Sequence, residues 1–123
     1  MFRVAHVTSF ADYPNRVLNT QLIRCARERG WRLKTFSLQQ DAAPIETLKK
    51  WNPHGVIFDL INRQQEKAIA ELKCPIVKHY GCDEDFAKLK FAAWIKTDET
   101  LVAETAAEYL TKKNCKSFAY AHP

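Results

Sequence analysis

Short apolar runs alternate with segments of helical spacing along the chain. The run 2–7 is rich in β-branched and aromatic residues and predicts a strand. In 16–29, apolar residues recur at i, i+4, i+7 and i+8, which is one face of a helix, and Gly30 follows as a terminator. The same alternation predicts further strands at 31–38, 56–61, 75–77, 91–96 and 117–120, and further helices at 44–51, 63–72 and 97–113.

Loops are predicted where turn-forming residues interrupt these patterns, at 9–15, 39–43 and 80–90. The helix at 97–113 has the clearest pattern, because four of its apolar side chains fall on one face. These are Val102, Ala106, Tyr109 and Leu110. Asn114 follows as its terminator.

Strands that alternate with helices imply right-handed crossovers and a mainly parallel sheet. The run 56–58 is apolar without polar alternation, which is typical of a strand buried on both faces. We therefore predict an α/β fold, a three-layer α/β/α domain with five or six mostly parallel strands and helices on both faces.

The length of 123 residues predicts one domain with a core of its own. The net charge of +5 raises the question of nucleic-acid binding, but the basic clusters 24–29 and 112–116 lie in or after predicted helices and are typical of solvated faces. No zinc-finger, leucine-zipper or RNA-binding signature is present. No apolar run reaches the length of a membrane span, and the N-terminus lacks a signal-peptide pattern, so we expect a cytoplasmic protein without a membrane partner.

Metal and cofactor chemistry is not indicated. The four cysteines form no CxxC pair, and His79 with Cys82 is a lone H-x-x-C, so we predict reduced, mostly buried thiols, no metal and no cofactor. GxSxG, P-loop and GxGxxG motifs are absent, and three glycines in total leave little room for a phosphate cradle. The sequence therefore predicts a protein that is not an enzyme.

Polar and aromatic residues follow the predicted strands, and ligands of parallel sheets bind beyond the carboxyl ends of the strands. That edge suits a small polyhydroxyl ligand. The candidate ligand-binding residues are Ser9, Phe10, Asn15, Arg16, Asp59 and Asp98.

Each candidate also has a structural interpretation. Asp98 opens a predicted helix and could be its N-cap, and Asp59 at a strand end could accept from a backbone amide. Arg16 could be an exposed helix-start residue, and Asn15 a cap or turn residue. Trp31 and Trp51 are more typical of a core than of a stacking platform.

Five segments in this order resemble a known family. They are 51–57 (WNPHGVI), 74–77 (CPIV), 97–98 (TD), 106–110 (AAEYL) and 116–120 (KSFAY). The succession resembles the effector-binding domain of bacterial sugar-responsive regulators of the lactose/galactose repressor type, and among these it is most similar to the xylose-operon regulators. The resemblance covers the whole chain from Met1.

The resemblance implies a periplasmic-binding-protein-like fold of two lobes with the sugar between them. It implies that residues 1–123 are the N-terminal lobe, with the second lobe and a C-terminal DNA-binding domain lying outside them. The implied ligand is a small sugar such as xylose. The implied contact with DNA is made only through the C-terminal domain. N-terminal lobes of this family often pair as homodimers, so a homodimer is also implied. The family often carries an arginine near position 15, where this chain has Asn15-Arg16.

A phospho-receiver-like signalling domain is the alternative within the same fold class. Such a domain has a phosphorylatable aspartate ending the third strand and a lysine ending the fifth, and Asp59 and Lys96 match these positions. It also has an acidic pair after the first strand, which the sequence 6–9 (HVTS) lacks.

Overall fold

A computed structural model describes residues 1–8, 13–38, 43–59, 62–79, 88–119 and 121, and for 13–15 and 43–44 it describes the backbone only. Among these residues, strands and helices alternate from the first strand to the fourth, and a fifth strand and a last helix lie beyond residues 80–87, which are not described. The strands are β1 (Arg3–Thr8), β2 (Arg32–Ser37), β3 (Gly55–Phe58), β4 (Ile76–His79) and β5 (Ala92–Ile95). The helices are α1 (Tyr13–Glu28), α2 (Ala43–Trp51), α3 (Arg63–Ala70) and α4 (Glu99–Lys112).

The five strands form one parallel sheet in the order β2-β1-β3-β4-β5. In the register, Val7 of β1 lies between Phe36 of β2 and Phe58 of β3. The chain moves outward from β1 to β2 and then returns past β1 to β3. The order therefore reverses between β1 and β3, and the predicted parallel α/β fold is confirmed.

Side-chain alternation assigns the helices to opposite faces of the sheet. Ala5 and Val7 of β1 belong to the hydrophobic core together with Leu48 of α2 and Ile69 of α3. The residue between them, His6, instead contacts Asn19 of α1. Helix α1 thus covers one face and α2 and α3 cover the other, which gives the three layers.

The main core lies under α2 and α3, where the central strands contribute side chains that are almost completely buried. Phe58, Val56 and Ile76 are each 1% exposed. Trp51 packs against this core with its ring centroid 5.7 Å from that of Phe36, while Trp31 is 37% exposed. Burial of this apolar surface stabilises the sheet at roughly 25 cal/mol per Å², which makes β1, β3 and β4 a rigid support for the residues at their carboxyl ends.

Two helices end at the predicted terminators. Gly30 has φ +64°, and its amide donates to the carbonyl of Arg27 while the amide of Trp31 donates to that of Ala26. This pair of bonds is the Schellman motif, which needs a left-handed residue. Asn114, with φ +56°, ends α4 in the same way.

Three expectations are corrected. Residues 13–15 of the loop predicted at 9–15 already form the first turn of α1, and residues 9–12 lie outside the described residues. Residues 117–119 of the predicted last strand follow the exposed helix α4 and pair with neither edge strand of the described sheet, β2 or β5. The predicted apolar face of α4 exists but is exposed, with Val102 at 56% and Tyr109 at 62%.

The exposure of α4 has a topological reason. The helix comes after the edge strand β5, and no described element packs against it, so it buries none of its residues. Among the described residues, no helix is long and apolar enough to cross a membrane.

Candidate functional site

The carboxyl ends of β1 and β3 lie side by side at the point where the strand order reverses. In open parallel sheets this is where helices leave on opposite sides and a crevice forms, so it is the usual ligand position. Thr8 ends β1, and Asp59 comes directly after β3. The structure therefore brings one of the sequence candidates, Asp59, to the edge that the fold favours for binding.

Asp59 is held in place by the neighbouring strand. The Thr8 hydroxyl donates a 2.8 Å hydrogen bond to Asp59 Oδ2, and the Asp59 amide donates to the carbonyl of Val7. Asp59 is only 2% exposed. A carboxylate fixed by a neighbouring hydroxyl is a preorganised acceptor, since its orientation is set before any ligand arrives.

A buried imidazole lies one pleat below this pair on the same face of β1. His6 is 1% exposed, and its Nδ1 lies 3.3 Å from Asn19 Oδ1 of α1. The Thr35 hydroxyl of β2 donates to the same oxygen at 3.0 Å. Because that oxygen is an acceptor, Nδ1 carries the proton, and Nε2 is then an unprotonated acceptor.

The second ring nitrogen of His6 is buried and makes no hydrogen bond to any described residue. Burial lowers the pKa of His6 below its ordinary 6.5; the Asn19 hydrogen bond and the charge of Asp59 oppose this shift, and the charge of His79 adds to it. His6 therefore lies within electrostatic reach of both Asp59 and His79. We call the residues His6, Thr8, Asn19, Asp59 and His79 the switch-point cluster.

A buried ion pair supports the cluster from the opposite face of the sheet. Lys78 of β4 donates to both carboxylate oxygens of Glu66 on α3, at 3.0 and 3.1 Å. The start of α3 is fixed by a capping box, in which Asn62 Oδ1 accepts from the Gln65 amide and Gln65 Oε1 accepts from the Asn62 amide. These contacts anchor the two segments that follow Asp59 and precede His79.

The cluster offers hydrogen-bond acceptors. A carboxylate presents about four lone-pair positions, and the Thr8 hydroxyl occupies one of those of Asp59. Among the described residues no group of three or more His, Cys, Asp or Glu could hold a metal ion. Of the described cysteines, Cys74 is buried, Cys25 half-buried and Cys115 exposed, and burial raises the pKa of the Cys74 thiol.

The other predicted site residues lie at the starts of two helices or outside the described residues. Asp98 is the N-cap of α4, where its Oδ1 accepts from the Leu101 amide at 3.0 Å. Arg16 is exposed near the start of α1. Asn15 lies in the first turn of that helix, but its side chain is outside the described residues, as are Ser9 and Phe10 entirely. The structure therefore leaves the ligand roles of these five residues as predictions.

Sequence reasoning missed His6 and Asn19. A histidine inside an apolar strand is typical of a satisfied core residue, and Asn19 lies on a helix without a recognisable motif. Their proximity depends on how α1 lies against β1, which no spacing along the chain reveals. The available signal was the polar residue at position 6 in an otherwise apolar strand.

Curated relatives with a similar sequence are transcription regulators. The xylose operon regulatory proteins of Escherichia coli strains K12, O6:H1 and O157:H7 are each 26% identical to this chain over 126 residues. The match covers 98% of this chain and 32% of each relative, so the chain spans about a third of their length. No protein-family model matches the chain.

Solved structures share the fold at low sequence identity. A sugar ABC transporter protein of Yersinia enterocolitica subsp. enterocolitica 8081 superimposes with a TM-score of 0.70 at 12% identity, covering 93% of this chain and 37% of that one. The transcription regulator CcpA of Lactococcus lactis gives 0.70 at 13%, covering 98% and 45%. A Mycobacterium smegmatis protein in complex with beta-D-fucofuranose gives 0.68 at 15%, covering 92% and 40%.

The sequence and structural comparisons agree on the type of domain. Each relative or neighbour is matched over a third to a half of its own length. The chain thus has the fold of a periplasmic-binding-protein-like lobe, and its predicted resemblance to the sensing domain of xylose-operon regulators is confirmed.

Proposed function

We propose that this chain is the N-terminal lobe of the effector-sensing domain of a bacterial transcription regulator and that it binds a small sugar at the carboxyl ends of β1 and β3. One observation carries the proposal, which is the Asp59 carboxylate held by Thr8 at the strand-order reversal. The similarity to xylose operon regulatory proteins supports xylose or another pentose as the ligand.

Asp59 is suited to sugar recognition for a physical reason. Sugar hydroxyls donate, and a hydrogen bond to a charged acceptor contributes about 1.5–3 kcal/mol. Because Thr8 already fixes the carboxylate, little rotational entropy is lost when a hydroxyl binds. The neutral His6 beneath it adds no positive charge that would compete for the carboxylate.

The remaining contacts are proposed from the sequence, at positions that follow β1 and β5 along the chain. We assign ligand contacts to Ser9, Phe10, Asn15, Arg16 and Asp98. A second lobe beyond these residues supplies the other half of the site, and a DNA-binding domain beyond it contacts DNA in the cytoplasm. The exposed apolar face of α4 is available for contact with that second lobe or with a second copy of the chain.

Calorimetric titration of the full-length protein with xylose, arabinose, ribose and glucose tests the proposal. Asp59→Asn keeps the shape of the side chain but replaces a charged acceptor, so we expect sugar affinity to fall at least tenfold, the equivalent of about 1.4 kcal/mol. Glu28→Gln, at the far end of α1, is the matched control and leaves affinity unchanged. If no monosaccharide binds the wild-type protein, the proposal is wrong.

Substitution of Asp98 distinguishes a role as a helix cap from a role as a sugar contact. Asn caps helices about as well as Asp, so Asp98→Asn should leave the melting temperature unchanged. A tenfold or greater loss of sugar affinity in this variant assigns Asp98 to the site, whereas unchanged affinity leaves it as the cap of α4 alone.

A phospho-receiver-like domain is the second candidate, because Asp59 comes after the third strand of a sheet ordered β2-β1-β3-β4-β5. A receiver also has an acidic pair after its first strand, which the sequence 6–9 (HVTS) lacks. Titration with beryllofluoride and magnesium decides between the two: a saturable response that Asp59→Asn abolishes favours the receiver.

A further inference from the structure

The imidazole of His6 has an environment that the sugar site alone does not require. It is 1% exposed, its Nδ1 is engaged by Asn19, and its Nε2 is buried without a hydrogen bond to a described residue. Burying a polar nitrogen in this state is unfavourable. His6 lies close to Asp59 despite this unfavourable burial, so it is a candidate for controlling the orientation of that carboxylate.

We infer that His6 is a proton-sensitive positioning residue of the effector site: when His6 takes up a proton, it draws the Asp59 carboxylate away from its ligand-binding position, and sugar affinity falls in acid. The inference rests on the proposed function, because it describes the regulation of that same site. His6 acts through Asp59 and is not assigned a contact with the sugar.

The hydrogen bonds of His6 determine which ring nitrogen takes up an added proton. Neutral His6 donates from Nδ1 to Asn19, so an added proton goes to Nε2. The new N–H is a donor in a buried place, and an unmet donor there is costly. Asp59 lies two positions after Ile57, the register partner of His6, and so on the same face of the sheet, where its charge favours the protonated ring. A charged hydrogen bond from Nε2 draws the carboxylate toward the ring and away from Thr8 or a ligand hydroxyl.

The groups around the ring set the direction of the response. From the described residues, Asp59 after β3 favours the imidazolium, and His79 of β4 disfavours it when charged. Helix α1 presents the neutral amide of Asn19, and β2 presents the neutral hydroxyl of Thr35. The cation Arg16 on α1 is exposed to solvent. Burial is the largest influence and keeps His6 neutral at pH 7, because it lowers its pKa below 6.5.

A bound sugar and a bound proton therefore compete for the same carboxylate. If the sugar binds only the neutral form, its dissociation constant rises about tenfold for each pH unit below the pKa of His6. Binding near that pKa also releases a proton, so the calorimetric enthalpy depends on the ionisation enthalpy of the buffer.

The first measurement needs no sugar. We expect an NMR titration of the histidine rings in the full-length protein to give His6 a pKa below 6.5 and to move the Asp59 amide signal with the same midpoint. In Asp59→Asn the pKa of His6 should fall further, because the favourable charge is gone. A His6 ring that titrates without affecting the Asp59 signal overturns the inference.

The second measurement is calorimetry with xylose from pH 7.5 downward. His6→Asn keeps a donor toward Asn19 but cannot titrate, so its dissociation constant should stay flat over the interval in which that of the wild type rises. His54→Asn, an exposed histidine at the opposite edge of the sheet, is the matched control and should retain the wild-type pH dependence. A pH dependence that persists in His6→Asn overturns the inference.

Two further outcomes are distinguishable. If His6→Asn does not fold, the buffer dependence of the wild-type enthalpy decides, since absence of proton release near the His6 midpoint overturns the inference. If the wild type binds no monosaccharide at any pH, the proposed function and its regulation both fail, while the sugar-free NMR titration still shows whether His6 controls Asp59.

Discussion

Removal of Glu66 from its buried ion pair should destabilise the whole domain. Lys78 donates to both oxygens of the Glu66 carboxylate, and the side chains of the pair are 7% and 14% exposed. Glu66→Leu leaves the ammonium in the sheet without this carboxylate. Breaking a buried pair in this way costs about 3–5 kcal/mol, because a buried charge loses its compensation.

The loss of stability in the single variant, compared with that in a double variant, shows whether the ion pair itself stabilises the fold. In a domain of this size 1 kcal/mol corresponds to roughly 3–5 °C in melting temperature, so Glu66→Leu should lower the Tm by about 9–25 °C. The double variant Glu66→Leu/Lys78→Met removes both charges and fills similar volume. Its stability should return to within about 1 kcal/mol of the wild type, because neither charge then has to be desolvated.

Thermal and urea unfolding followed by circular dichroism measure both effects. Glu28→Gln breaks an exposed pair with Arg24, in which N and O lie 3.5 Å apart, and serves as the control, with an expected change below about 0.5 kcal/mol. A loss of less than about 1 kcal/mol in Glu66→Leu, or a double variant as unstable as the single one, would refute the reasoning.

Three further predictions concern the caps and His6. Asn62→Ala removes the capping box of α3 and should lower the free energy of unfolding by about 0.5–2 kcal/mol, measured by urea unfolding, with Asn62→Asp retaining most of it. Asp98→Ala should reduce far-UV helix content, because no described element packs against α4 to compensate for a lost cap; unchanged helicity would contradict this. The pKa of His6 is lowered on folding, so the unfolded chain binds the His6 proton more tightly than the folded chain does. The urea midpoint should therefore fall as pH decreases below about 6.5. The contribution of His6 to this pH dependence should disappear in His6→Asn.

Local signals in the sequence determined much of the fold. The alternation of apolar runs and helical spacing is set by backbone geometry, so it predicted five of the six proposed strands and all four helices within a few residues. Gly30 and Asn114 end their helices as predicted, since left-handed termini select those residue types. Asp59 could be placed at the carboxyl edge because connection rules fix which strand ends lie together.

The tertiary structure decided the features that depend on contacts between distant segments. Thr8 and Asp59 are 51 positions apart, and their hydrogen bond exists only because β1 and β3 are adjacent in the sheet. The burial of His6 depends on how α1 lies against β1, and the exposure of α4 depends on its position after an edge strand. Periodicity reports which face of an element is apolar, but only packing determines whether that face is covered.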